Sequence, residues 1–381
     1  MKKILLASSA LVGVAMLAAP AQAELKLDLG GHFSGYAVYH DQDNDTDQHN
    51  FEFRRNTEIH FTGETTLDNG LTVGFHTEME VEGNDLNNES YAYFSGGWGR
   101  INFGNEDGAA YLLQVAAPSA DSNVDGMRTT ISALNGANFI GVGGVPLDYQ
   151  HADFGNRPSV RTVSTLTDSN GDTIDVDTVA NFGTDRLTYL TPKFSGFQGG
   201  VSYAPTAGKA TGIAAMSADN DSEDFKNLWE AAARWDGQFE GVGLSFGAGY
   251  SYAKNEDPAD DKLKTWNVGA NVAWNQFSVG GSYLKSNNGI SGSDGDSRTW
   301  VVGAAWDNGP WHVGASYLDR SDESSVFGTT GDLDSERWTL GGGYAYGPGM
   351  TFRGSLSFGE VSETGNSEDF TMVAVGTDIR F

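Results

Sequence analysis

Residues that change character at every second position recur along most of this chain, and no other feature restricts its fold as much. In the closing stretch Val373, Val375, Ile379 and Phe381 take odd positions, with Thr377 the exception, while Asp378 and Arg380 take even ones. Side chains of a β-strand point alternately to its two faces, so such a segment has one apolar and one polar wall. The middle of the chain repeats the design. Trp266, Val268, Ala270, Val272 and Trp274 share one face, against Thr265, Asn267, Gly269 and Asn271 on the other. After Asn275-Gln276, the residues Phe277, Val279, Gly281 and Tyr283 oppose Ser278, Gly280 and Ser282. Trp300, Val302, Ala304 and Trp306 then lead through the turn Asp307-Asn308-Gly309-Pro310 into Trp311, Val313, Ala315 and Tyr317. The expected fold is all-β.

Composition and the N-terminus place these strands in a compartment. Lys2 and Lys3 precede an apolar stretch over 4–18 and a small-x-small site, Ala21-Gln22-Ala23. This is the pattern of a secretory signal peptide, so residues 1–23 are expected to be removed and 24–381 to form one domain. No later run approaches the ~20 apolar residues that a spanning helix needs. Without Lys2 and Lys3, 21 of the 23 Lys and Arg stand against 51 Asp and Glu, a net −30 over the remaining 358 of 381 residues. So acidic a chain repels a phosphate backbone, which excludes nucleic acid as a partner. Cysteine is absent, so neither disulfides nor thiolate metal sites arise. An aromatic share of 12% argues against disorder.

Whether the apolar wall faces a dry core or lipid follows from lengths. Trp266 and Trp274 lie eight residues apart, which is about 26 Å along a strand and about 20 Å of height at a ~40° tilt. That separation suits two interfacial aromatic girdles. The opposite faces carry Asn, Ser, Thr and Gly, unsuited to a dry sandwich and suited to a wetted wall. Connections also alternate in length. Short ones fall at 68–70, 95–99, 191–196, 236–241, 275–276, 307–310 and 347–349. Longer polar ones fall at 41–50, 83–88, 106–185, 204–225, 254–262, 286–297, 319–335 and 361–367. Seven short and eight long connections separate sixteen strands, giving a 16-stranded antiparallel transmembrane β-barrel with short periplasmic turns and long outer loops. Such a barrel leaves an aqueous channel. Within 106–185, the runs 160–167 and 173–179 are predicted to form a β-hairpin outside the barrel wall, a flap rather than two further wall strands.

The resemblance rests on the signal-like 1–23, the hairpin Thr62-Gly63-Glu64-Thr65-Thr66-Leu67-Asp68-Asn69-Gly70-Leu71-Thr72-Val73-Gly74-Phe75, the stretch Gly97-Trp98-Gly99-Arg100-Ile101-Asn102-Phe103-Gly104, and terminal Phe381. In these residues and their order the chain resembles the trimeric general diffusion porins of Gram-negative bacteria, most of all those of alphaproteobacteria. The resemblance implies an outer-membrane homotrimer and a third outer loop that folds into the lumen and narrows it. It also implies that Phe381 is the signal read by the outer-membrane assembly machinery. The expected function is passive diffusion of ions and small hydrophilic solutes through a water-filled channel, in contact with lipid and lipopolysaccharide. The long 106–185 segment departs from the family's usual pattern.

Alternation assigns Lys26, His32, Arg54, Glu58, His60, His76, Glu78, Arg100, Arg353 and Arg380 to the lumen. In the resembled family basic wall residues oppose carboxylates of the infolded loop. Carried to this chain, the constriction candidates are Arg54, His76 and Arg100 on the wall, with Glu106, Asp107, Asp121 and Asp125 on the loop. Facing rows of fixed charge select ions by local potential; charges on a wide, solvated wall do not, and each candidate is weighed against that reading. Arg55 breaks the alternation on the outward face, which places it at a rim or in a subunit contact. Gly31, Gly35 and Ala37 are small for a lipid belt and suit either close subunit approach or barrel curvature.

No cofactor is required. The outer loops are dense in carboxylates, among them Asp41, Asp43, Asp45, Asp47, Glu256, Asp257, Asp260 and Asp261. Near anionic lipopolysaccharide such loops would be bridged by Ca²⁺ or Mg²⁺. Asp168, Asn170 and Asp172 match the opening of a calcium loop, but the sixth-position glycine is missing and position twelve is Val179. The seven histidines have no helical metal spacing, and an enzyme is not expected. The alternative function is a substrate-specific channel, for sugars for example, with up to 18 strands and an inward aromatic slide. Inward aromatics are expected to be few, Tyr36 foremost.

Overall fold

The computed structural model describes residues 26–43, 49–81, 89–121, 163–167, 173–177, 185–207, 225–255, 261–292, 294–327 and 330–381. The first half of the wall is β1 (Lys26–Gln42), β2 (Phe51–Thr66), β3 (Thr72–Glu80), β4 (Glu89–Gly96), β5 (Gly99–Asn105), β8 (Asp185–Leu190), β9 (Phe197–Ala207) and β10 (Phe225–Phe239). It continues with β11 (Val242–Asn255), β12 (Leu263–Trp274), β13 (Phe277–Ser286), β14 (Ser297–Asn308), β15 (Trp311–Asp322), β16 (Leu333–Gly347), β17 (Met350–Glu363) and β18 (Asn366–Arg380). These sixteen strands form a closed antiparallel barrel in which β1 pairs with both β2 and β18. The count of sixteen holds, and the eighteen-strand alternative falls. Strands β6 (Val163–Thr167) and β7 (Thr173–Asp177) pair only with each other, in a sheet of their own, as the flap expectation requires.

Closure satisfies the backbone polar groups of the wall without an exposed sheet edge, the condition for strands in hydrocarbon. The alternation then sorts the side chains. Val268, Val272, Trp274, Val279, Val302, Trp311 and Val375 are exposed on the outside. Thr265, Asn267, Ser282, Thr299, Ser316 and Ser355 are buried within. Two aromatic belts ring the outer surface. Toward the long loops, Trp266 meets Tyr283 (ring centroids 5.2 Å apart) and Tyr317 lies between Trp300 (5.1 Å) and Trp338 (4.6 Å). Toward the short turns, Trp311 packs on Tyr344 at 4.5 Å.

Two expectations need correction. The predicted loop 361–367 is a tight turn at Thr364-Gly365, because β17 and β18 run on as a paired hairpin to Glu363 and Asn366. Both turn residues have positive φ, 42° and 86°, the conformation that two-residue hairpins favour. The lumen face is also not uniformly polar. Near the long-loop ends Tyr36, Val38, Met372 and Ala374 form one buried cluster, and Ala204, Phe225, Leu228, Ala253 and Leu263 another. Alternation fixes the face of a residue and not its height, so it did not separate this apolar zone from the polar wall below.

A charge placed on the outer face distinguishes lipid from a dry core. Val268→Arg is expected to cost about 2–4 kcal/mol, whereas Thr62→Arg, on the lumen face, stays close to wild type. Urea titration of folding into lipid vesicles measures both, and equal costs would contradict the assigned faces.

Candidate functional site

A chain segment runs inside the barrel, and the wall is shaped to receive it. After β5 come Glu106 and Asp107, then the short helix α1 (Ala109–Leu112) and extended chain to Asp121. Backbone groups inside a barrel need partners as much as those in the wall. Ser202 Oγ accepts the Ala109 N–H (2.7 Å), Arg234 Nη1 donates to the Gln114 carbonyl (3.1 Å), and Asn271 Nδ2 donates to the Ala116 carbonyl (2.8 Å). His312 Nε2 lies 3.0 Å from the Ser119 carbonyl, with its Nδ1 against Asp307. Beneath the root of the segment, Arg186 and Glu230 form a buried ion pair at 3.4 Å.

Glycines on the inner face make room for this path. A Cβ on Gly269 would collide with the Val115 carbonyl, and one on Gly303 with the Pro118 carbonyl. At Gly314 it would lie 2.7 Å from the Ser119 oxygen, and at Gly341 2.7 Å from the Asp121 Cβ. Gly314 and Gly341 are register partners on β15 and β16. Apolar contacts add to the seat, as Ala110 and Ala117 pack with Leu284, Val301 and Leu318 of the wall.

The wall of β1 to β5 carries a row of rings. His32, His60, His76, Tyr91 and Tyr93 follow one another with centroid separations of 6.2, 5.6, 5.5 and 6.4 Å. Arg100 closes the row, its guanidinium 4.1 Å from the centre of the Tyr93 ring, a cation–π geometry. Glu58 and Glu78 stand among the histidines, with His76 Nε2 2.9 Å from Glu78. The histidine end opens into a recess of about 520 Å³ that Asp28, Thr62 and Arg380 also line. His76 is four residues from the start of β3 and His60 six from the end of β2, while Gly269 is five from the end of β12. The histidines of the row and this part of the seat thus lie four to six residues in from the short turns, on different arcs of one lumen.

The structure brings some of the expected site residues together and separates others. His76 and Arg100 belong to the ring row, and Glu106 and Asp107 sit at the root of the seated segment. Arg54 lies on the same wall but six residues nearer the long-loop side than His60, opposite Tyr36. Asp121 lies at the far end of the described segment against Gly341, buried, with Ser119 Oγ donating to it at 3.3 Å. Asp125, Asp168, Asn170 and Asp172 lie outside the described residues. Arg353 is inward as expected and pairs with Asp378, which also accepts the Tyr36 hydroxyl at 3.1 Å.

Other residues were missed. Tyr91 and Tyr93 correct the expectation of few inward aromatics; they share the face of Glu89, and the alternation of β4 carried that signal. Arg234, Asn267, Asn271 and His312 hold the seated segment. Nothing in their spacing shows this, because their partners are backbone carbonyls and the Gln114 side chain, over a hundred residues away. Burial pushes the Glu106 carboxyl up to about 7 against the lowering pull of Arg100, and its Oε2 is buried without a hydrogen-bond partner.

Two results test this geometry. Gly269→Ala is expected to displace the segment, costing roughly 1–3 kcal/mol and changing single-channel conductance. Gly243→Ala, where the Cβ would meet its nearest atom at 3.6 Å, leaves both unchanged. Glu106 passes from acid to carboxylate as pH rises through about 7. Cation preference therefore rises across that interval, and Glu106→Gln flattens the rise in zero-current potentials recorded against pH.

The barrel is shared with solved channels. The anion-selective porin of Comamonas acidovorans superposes with a TM-score of 0.62 at 16% identity, over 94% of this chain and all of that one. A Rhodopseudomonas blastica porin variant gives 0.54 at 18%, over 93% of this chain and 100% of that chain. An outer membrane protein of Vibrio cholerae lacking its loop L8 gives 0.56 at 12%, over 94% and 99%. No curated protein is significantly similar in sequence. The family model described as Gram-negative porin matches residues 7–366. With the closed sixteen-stranded wall, this match makes the chain a member of the Gram-negative porin family, an outer-membrane channel for passive diffusion and not an enzyme.

Proposed function

We propose that the channel is a homotrimeric general diffusion pore whose narrow section lies between the seated segment and the ring row, and that it passes small hydrophilic solutes and ions. The observation that carries this reading is a charged segment inside the lumen that starts at the ring row, where Glu106 meets Tyr91 and Arg100, and runs along the opposite wall to Asp121. Opposed charge orders water across the lumen, which favours polar over apolar solutes. Arg54 adds positive charge above the row. The net charge of −28 for the whole chain gives a modest cation preference overall.

The trimer reading rests on the outward face of β1 and β2. Gly35 and Ala37 leave that surface low, and Arg55, paired in register with Gly35, is exposed on it. Gly31 has a different reason: a Cβ there would strike the Glu58 carbonyl of β2, so that glycine serves the barrel itself. Residues 1–23 act as the signal peptide, Phe381 as the assembly signal, and the acidic outer loops meet lipopolysaccharide through Ca²⁺ or Mg²⁺. Within the family, the hairpin over 62–75 favours the alphaproteobacterial type.

In planar bilayers the protein is expected to give large ohmic steps. Arg100→Ala and Arg54→Ala should each move the zero-current potential in a salt gradient toward stronger cation preference, Arg100→Ala by more. Unchanged potentials in both variants would remove these residues from the conducting path.

A further inference from the structure

The histidine end of the ring row has a donor set that diffusion does not require. We propose that His32 Nδ1, Glu58 and His60 Nε2 form a binding site for one borderline transition-metal dication of the zinc type, open to the lumen. The strand register builds it without rearrangement. His32 and Glu58 are direct partners across β1 and β2, and His60 follows Glu58 on the same face.

The three donor atoms lie within 4.8 Å of one another. A tetrahedral ion with bonds of about 2.0–2.1 Å needs donors about 3.3 Å apart. Glu58 Oε2 is 3.2 Å from His60 Nε2 and 3.6 Å from His32 Nδ1. An ion pair alone would show similar distances, and the zinc titration below separates the two. His32 Nε2 faces Asn56 Oδ1 at 2.7 Å while its Nδ1 faces the Glu58 carboxylate. His60 faces carboxylates from both nitrogens, Glu58 at 3.2 Å and Glu78 at 3.6 Å. A neutral imidazole has one N–H, so a neutral ring here turns a lone pair toward an oxygen acceptor, an arrangement that a shared cation, or a proton in its absence, relieves. With Nε2–H donated to Asn56 Oδ1, His32 would present Nδ1 to the metal, the outer-shell pattern of metal histidines.

Two imidazoles and one carboxylate favour zinc, nickel or copper(II) over the all-oxygen sites of Ca²⁺ and Mg²⁺. His32 and His60 side chains retain 20% and 27% of their exposure, so the ion enters from the lumen and water completes its shell. Glu78, on the far nitrogen of His60, offsets part of the added charge.

The test uses the full-length protein, purified as a folded barrel in detergent, stripped with a chelator and dialysed against ZnCl₂. One zinc per chain is expected, with a micromolar Kd that millimolar CaCl₂ does not shift. Glu58→Gln, an isosteric change, and His60→Asn should weaken it by about 100-fold, and His32→Asn by at least tenfold. His76→Asn should leave it within about threefold. Circular dichroism confirms that each variant keeps its strand content. Absence of saturable binding below millimolar zinc, or unchanged affinity in His60→Asn, overturns the site. Loss in His76→Asn with retention in His32→Asn also overturns it, since the ion would then sit with Glu78. Binding is read without conductance, so its outcome is separate from that of the pore reading.

Discussion

A strand placed in hydrocarbon has no water to satisfy its backbone, and every other property of this molecule follows from how that demand is met. The sixteen strands meet it by closing, with β1 bonded to β18 on one side and β2 on the other. Once closed, the two faces of each strand no longer compete for one core. The outer face takes the valines and aromatic belts, and the inner face takes the polar groups. The interior can then hold water, and transport is a consequence of that inversion.

A wet interior still has to hold the loop that enters it. The segment from Glu106 to Asp121 is not held by a single strong contact. Five wall side chains bond to it, a buried Arg186–Glu230 pair lies under its root, and inward glycines let its backbone approach the wall. The other arc of the wall, built from β1 to β5, is left to histidine, tyrosine and arginine. Its rings give a stiff surface and its charges a field, and the close spacing of His32, Glu58 and His60 adds the donor set of a metal ion.

The wall was legible in the sequence because its information is local. Period-two alternation needs only the strand itself, and the turn signals at 275–276 and 307–310 fix where each strand reverses. Inward charges such as His76 and Arg353 could be assigned for the same reason. Height was less legible: Arg54 shares the face of His60 yet lies well above it, and Val38 shares the face of His32 within an apolar zone. The loop seat was not legible at all. An inward glycine that receives a carbonyl from residue 115 looks the same in sequence as one that permits curvature. Tyr91 and Tyr93 were readable from the face of Glu89, but in a chain with two outer belts an aromatic is easily assigned to the outside.

The inversion can be measured directly because the chain has no native cysteine. Single cysteines at Val268, Ala270, Val272, Asn271 and Ala273, one per variant, would be exposed to a membrane-impermeant thiol reagent with the protein folded in lipid vesicles. The account predicts rapid labelling at Asn271 and Ala273 and protection at Val268, Ala270 and Val272. The reverse pattern, or equal labelling at all five positions, would contradict an apolar outside around an aqueous interior.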